Sequence, residues 1–295
     1  MVMTEMETIR PHEDSTSLLS DAEALRAGAE ADGYFYFRGL LPRDEVLAVR
    51  RQITTTWQHH GFLNDDVPAE QGIVRDGLFH YENDENPHWV AYYRDVLKLR
   101  DFHALALHRN IISILEMLFD KPVLPHSRNI VMSIFPGDLR VTTPVHQDFA
   151  YIGGTEDTWT AWIPCGDCPL DLGGLAILPG SHKQGIHPKG HFSSFDTGLA
   201  VPADSVWAAS DLACGDVLMF KSTTMHQGIE NVTGNRIRLS MDFRYQPRSH
   251  VVRRDSMQPH QQWCTWEDIY QDWAADDPLK YYWSDWDLKY VDKQQ

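Results

Sequence analysis

The chain has 295 residues, 42% hydrophobic and 23% charged, which is the balance of an ordinary globular protein long enough for a sizeable core. A formal net charge of -16 repels nucleic-acid phosphates, no basic stretch reverses that locally, and no apolar run is long enough to read as a membrane span. The cysteines Cys165, Cys168, Cys214 and Cys264 are too sparse for a disulfide framework and point to a reducing, cytoplasmic home.

In chain order, residues 1–19 are polar and acidic without an apolar h-region, and read as a mobile arm rather than a secretory signal. Ser20-Asp21 caps a helix from Ala22 to Ala31, which Asp32-Gly33 ends. Tyr34 to Leu40 reads as a strand, and Pro42 opens a helix reaching about His59. Leu63 to Pro87 is a long irregular loop enclosing the aromatic island Phe79-His80-Tyr81. Helices follow from Pro87 to Leu97 and from Phe102 to Phe119, the second with Leu105, Ile111, Ile112, Leu115 and Leu118 at helical spacing.

Beyond Asp120 the texture turns to short β-branched runs between turn residues. The expected strands are Val123–Leu124, Asn129–Phe135, Val141–Asp148, Thr158–Pro164, Gly174–Leu178, Asp216–Phe220, Met225–Ile229 and Arg236–Gln246. That pattern predicts a mainly β fold with flanking helices, arranged as a jelly-roll, cupin-like barrel. One domain is expected from 20 to 295: a helical part to about 120, the barrel over 121–247, and a tryptophan-rich wrap over 248–295 with one or two short helices. The Gly/Pro/Ser-rich insertion Lys183 to Cys214 reads as a lid. Cys165 and Cys168 form a C-x-x-C with no second pair, so buried thiols are the expected reading.

The chemistry gathers at His146-Gln147-Asp148. In an extended strand His146 and Asp148 point the same way, and two such ligands cover one edge of a metal. A histidine from a distant strand completes a triangular face, the two-His-one-carboxylate arrangement of non-haem Fe(II) oxygenases. Among fifteen histidines, His226 is the candidate, because it opens a strand shortly after Gly215-Asp216.

Four ordered pieces carry a resemblance: His146-Gln147-Asp148, Ala161-Trp162-Ile163-Pro164, Gly173-Gly174-Leu175-Ala176-Ile177-Leu178-Pro179-Gly180-Ser181-His182, and Gly215-Asp216-Val217-Leu218-Met219-Phe220 leading to His226. With them the chain resembles the phytanoyl-CoA dioxygenase family of Fe(II)- and 2-oxoglutarate-dependent oxygenases. The resemblance implies that His146, Asp148 and His226 hold Fe(II), with 2-oxoglutarate and O2 at the open positions. It also implies an arginine for the far carboxylate of 2-oxoglutarate, shortly after the second histidine. Arg236 and Arg238 straddle that place and Ile237 occupies it. Strand alternation puts both arginines on one face with Ser240, and Arg238-x-Ser240 presents a guanidinium and a hydroxyl together. Trp162 matches a family tryptophan near the co-substrate, and Thr160 shares its face. Phe79, Tyr81, Phe149, Tyr151 and Trp207 are candidate substrate-lining residues, and His182 is not assigned to the metal.

The expected activity is oxidation of a small-molecule C–H bond, with hydroxylation the default and succinate and CO2 as co-products. A halogenase is excluded because Asp148 fills the position a halide needs. A zinc hydrolase on the same triad leaves the arginines without a purpose, and a non-enzymatic cupin-like binding module is the remaining alternative. Substrate and oligomeric state are not legible.

Overall fold

The computed structural model describes residues 8–76, 86–137, 143–187 and 198–292. Its helices are α1 (Ala22–Asp32), α2 (Arg43–His59), α3 (Pro87–Leu97), α4 (Arg100–Ala106), α5 (Arg109–Phe119), α6 (Phe149–Ile152) and α7 (Trp266–Tyr270). Its strands are β1 (Thr8–Arg10), β2 (Tyr34–Phe37), β3 (Val123–Pro125), β4 (Ile130–Ile134), β5 (Trp159–Pro164), β6 (Leu175–Ile177), β7 (Val206–Ala208), β8 (Val217–Lys221), β9 (His226–Gly228), β10 (Arg238–Pro247), β11 (Val252–Arg253) and β12 (Tyr290–Val291).

The major sheet runs β2-β8-β5-β10-β3, with β4 sharing the β3 edge of the long β10, and is antiparallel throughout. The minor sheet runs β1-β7-β6-β9, with β1 joined to β7 in parallel. The expected mainly β fold with flanking helices is present, although no strand pairing among the described residues closes the sheets into a barrel.

Alternation sorts the layers. Phe35 and Phe37 of β2, Val217 and Met219 of β8, and Trp159, Ala161 and Ile163 of β5 join the large apolar cluster with α1 to α5. Tyr34, Tyr36, Leu218, Phe220 and Trp162 take the other face and meet Leu175, Ile177 and Ala208 of the minor sheet. On β10 the split is by polarity. Leu239, Met241, Phe243 and Tyr245 enter the helical core, while Arg238, Ser240, Asp242, Arg244 and Gln246 occupy the opposite positions between the sheets. The space between the sheets is thus apolar beside β2, β8 and β5 and polar along β10.

Several elements depart from expectation. The helix predicted over Phe102–Phe119 breaks at Leu107-His108, where His108 leaves the helical region and its Nδ1 accepts from the Asn110 amide at 3.2 Å. Helix α1 ends as expected at Gly33, whose φ of +69° suits glycine; a Cβ there would lie 2.2 Å from His182. Thr8–Arg10, within the stretch read as an arm, pairs with Val206–Ala208, itself within the stretch read as a lid. Segments of three residues such as these are too short to display a period that marks a strand.

The tail packs Trp266, Trp273 and Trp283 into the helical core, and Trp273 Nε1 donates to the Lys98 carbonyl at 2.8 Å. Burial pushes the His103 and His126 imidazoles down to about 4, and His260 to about 3. The unfolded chain takes up these protons near pH 6.5 while the folded chain refuses them, so this contribution is full above about pH 6.5 and falls as pH drops toward 4. Each histidine contributes a slope of up to ~1.4 kcal/mol per pH unit. Urea midpoints of the metal-free protein should therefore fall from pH 7 to pH 5, with a shallower slope in His103→Gln; a flat profile would contradict this.

Candidate functional site

His146 and His226 face each other in an isolated antiparallel bridge, exchanging both backbone hydrogen bonds at 3.0 Å. Such a reciprocal pair holds two Cα atoms about 5.5 Å apart, and the ring centroids lie 4.0 Å apart. Two of the expected ligands are thus fixed by backbone geometry.

Asp148 arrives by a route other than the one predicted. Residues 141–142 lie outside the described residues, and 143–148 form no strand beyond the single bridge at His146. Asp148 has helical angles of -58° and -28°, and its carbonyl accepts from Tyr151 and Ile152 as α6 begins. The triplet converges through a turn, not through strand alternation. Gln147 pins that turn: its Nε2 donates to the carbonyls of Gly185 at 2.8 Å and Thr223 at 2.6 Å, and its Oε1 accepts from the His187 amide at 2.9 Å.

The tautomers follow from the hydrogen bonds. His146 Nδ1 lies 2.9 Å from the Pro144 carbonyl and His226 Nδ1 lies 3.0 Å from that of Thr224. Carbonyls only accept, so each Nδ1 carries the proton and donates, leaving each Nε2 with a lone pair. Those Nε2 atoms lie 3.6 and 3.7 Å from Asp148 Oδ1. The three buried donors lie within 4.8 Å of one another, the arrangement a single metal ion needs. Burial pushes His226 down to about 3 and favours its neutral ring. Burial of Asp148 acts to raise its carboxyl, but Arg244 and the two histidines outweigh it and hold it well below the usual carboxylate range. Two neutral imidazoles and one carboxylate suit Fe(II).

Asp148 Oδ2 is held by Thr160 Oγ1 at 2.5 Å, leaving Oδ1 on the histidine side. Thr160, expected beside 2-oxoglutarate, thus directs its hydroxyl to Asp148 and is not among the residues that line the cavity. Partners of metal ligands typically contribute 10–100-fold in metal affinity. Thr160→Val should weaken anaerobic Fe(II) binding by roughly that factor, and an unchanged affinity would show that the hydrogen bond does not position the ligand.

The triad opens on a cavity of about 570 Å³. Trp162 lines it, with the buried Arg238 guanidinium 5.6 Å from the centre of the indole ring. Arg238 Nε donates to the Gly173 carbonyl at 2.8 Å and Nη1 to Ser240 Oγ at 2.6 Å. Arg236 precedes β10, is half-buried, and does not line the cavity. Ser240 is fully buried behind Arg238 rather than on the cavity wall.

The aromatic candidates scatter. Tyr151 lines the cavity, its ring 5.7 Å from that of His146. Phe149 lines a separate open pocket beside Lys221 and His250, and Trp207 is packed with Val145, Ala176 and Met225, so neither meets the cavity. Phe79 and Tyr81 lie outside the described residues. His182, with Nε2 3.2 Å from the Glu30 carbonyl, stands apart from the triad as expected. The sequence reading missed Asp242 and Arg244, although the alternation that joins Arg238 to Ser240 continues to both. It also missed Arg128, Arg253 and Asp255, which come from remote segments with no shared pattern.

A buried two-histidine, one-carboxylate face opening on a cavity that also holds an arginine is the site of a non-haem iron oxygenase. The chain belongs to the phytanoyl-CoA dioxygenase (PhyH) family, whose pattern matches residues 29–240. It is 31% identical over 261 residues to the 1-deoxypentalenic acid 11-beta-hydroxylases of Streptomyces exfoliatus and Streptomyces arenae, covering 82% of this chain and 87% of each relative. Solved structures with the same fold include the epimerase SnoN from nogalamycin biosynthesis, in complex with Fe3+, alpha ketoglutarate and nogalamycin RO. That structure has a TM-score of 0.58 and 20% identity, covering 79% of this chain and 86% of that one. Another is the carbocyclase SnoK, with a TM-score of 0.56 and 19% identity, covering 82% and 91%.

The protein is therefore an Fe(II)- and 2-oxoglutarate-dependent dioxygenase that uses O2, as the resemblance implied. No helix among the described residues is long and apolar enough to cross a membrane.

Proposed function

We propose that the protein hydroxylates a C–H bond of a small-molecule metabolite, consuming one 2-oxoglutarate and one O2 and releasing succinate and CO2. One observation carries this reading: the triad and Arg238 line a single cavity, so a metal and a dicarboxylate on it share one enclosed space. Bound iron supplies O2 activation coupled to oxidative decarboxylation of 2-oxoglutarate.

His146, Asp148 and His226 hold the metal in this reading. Arg238, oriented by Ser240 and the Gly173 carbonyl, takes the far carboxylate of 2-oxoglutarate, and Trp162 forms the wall beside it. Among the described residues, Tyr151 is the aromatic candidate for substrate contact that lines the cavity. The hydroxylase activity of the curated relatives supports hydroxylation as the outcome. The catalytic unit is one domain over residues 20–295, and the insertion beginning at Lys183 borders the site where Gly185 accepts from Gln147. The acidic chain supports a small-molecule partner over nucleic acid, and four buried free thiols support a cytoplasmic home.

Anaerobic addition of Fe(II) and then 2-oxoglutarate should give the weak visible charge-transfer band of the chelated pair. Admitting O2 should then convert 2-oxoglutarate to succinate. Bound iron with no band and no succinate would overturn the proposal.

A further inference from the structure

Six residues beyond Arg238, roughly 20 Å along an extended strand, Arg244 enters the same cavity. It is only 8% exposed, yet its Nε and Nη1 have no hydrogen-bond partner. Its Nη2 reaches Asp148 Oδ2 at 3.4 Å and Asp242 Oδ2 at 3.6 Å, both long for charge-assisted contacts. Arg128 also lines the cavity; its Nε is buried without a partner and its Nη2 comes no nearer than 3.9 Å to Asp255. Arg253, by contrast, is committed, with Nε on Asp255 Oδ1 at 2.5 Å and Nη2 on the Tyr151 carbonyl.

Setting aside Asp148 and Arg238, which the proposed function commits to the metal and to 2-oxoglutarate, the three guanidiniums of Arg128, Arg244 and Arg253 face two carboxylates, Asp242 and Asp255, an excess of one positive charge. Three buried donors, two on Arg244 and one on Arg128, are left over. Unmade hydrogen bonds on buried charged groups are costly enough that proteins seldom retain them without a ligand or ordered water to receive them. We propose that Arg128 and Arg244 form a subsite for the carboxylate of an anionic, otherwise apolar substrate.

The surroundings fit that class. A single carboxylate offers two oxygens to the leftover donors and cancels the one excess charge, whereas a phosphate dianion exceeds it. Ile130, Met132 and Ile152 give the cavity apolar walls for the rest of the molecule. His126 and His260, which also line it, are held neutral chiefly by burial, with Arg244 and Arg128 adding to the effect, so they neither cancel the arginines nor add a further cation. Because Arg244 touches Asp148, an anion seated there lies beside the metal triad and orients its own carbon skeleton toward it.

The subsite rests on the oxygenase reading of the triad, and the test keeps the two apart. The enzyme is loaded anaerobically with Fe(II) and saturating 2-oxoglutarate, so that the metal and Arg238 are taken. It is then titrated calorimetrically with cyclohexanecarboxylate, octanoate and the corresponding primary amides. At least one carboxylate should bind tenfold or more tightly than its amide, and Arg128→Gln should erase that preference while leaving the charge-transfer band unchanged, since Arg128 does not touch the triad. Arg244→Gln should erase it as well. No carboxylate preference in the wild type, or a preference that survives in both variants, overturns the subsite; loss of the band in the wild type overturns the oxygenase reading instead.

Discussion

Asp148→Ala is expected to lower 2-oxoglutarate turnover by about three orders of magnitude, the scale of several kcal/mol of lost metal-centred stabilisation. The same substitution should destabilise the metal-free protein, because Asp148 is also a counter-ion of Arg244 at 3.4 Å. Removing one member of a buried ion pair typically costs about 3–5 kcal/mol, since the partner charge stays behind without compensation. Asp242, at 3.6 Å, remains beside Arg244 and places the expected loss at the lower end of that range. Asp148→Asn separates the two effects: it keeps an oxygen for Thr160 Oγ1 but loses the charge. Urea unfolding without metal reads the stability, and anaerobic Fe(II) titration reads the ligand. If Asp148→Ala bound Fe(II) as tightly as the wild type, the carboxylate would not be a ligand.

Arg238→Leu is expected to raise the KM for 2-oxoglutarate by on the order of 10²-fold, because truncating one partner of a buried charge-assisted pair costs about 2–5 kcal/mol. Fe(II) affinity should be unchanged, because the contacts of Arg238 with Gly173, Ser240 and Trp162 include no triad residue. Arg238→Lys should recover part of the loss, as a point charge replaces the planar fork. Arg236→Leu is the internal control, lying off the cavity, and should change KM by less than about twofold, as an ordinary substitution away from the site does. A large KM effect at Arg236 with none at Arg238 would reverse the assignment.

The His-Asp-His triad is legible in the sequence, yet strand alternation is not what brings its members together. His146-x-Asp148 suggested a shared strand face, whereas Asp148 turns into α6 and meets the histidines from a helical conformation. Spacing survives such a change because a turn can converge the same two side chains. The β10 ladder was fully legible in principle, since period-two alternation runs from Arg238 to Gln246 without a break. Asp242 and Arg244 are the third and fourth rungs of that ladder. Arg128 and Asp255 lie 127 positions apart in sequence and meet only through tertiary packing, so no local pattern announces them. The strands β1 and β7 escaped notice for a related reason: three residues are too few to display a period, and each is specified by its partner.

The alternation of β10 also bears on how this sequence can change over evolutionary time. Substitutions on either face alter one contact at a time, but an insertion or deletion of one residue within Arg238–Pro247 shifts the register of everything beyond it. With a side-chain period of two, that shift drives the charged rungs into the apolar layer and turns leucine, methionine and phenylalanine toward the cavity. Length variation in descendants of this chain is therefore expected in the loops on either side of β10, with the strand itself keeping its residue count while its individual rungs diverge.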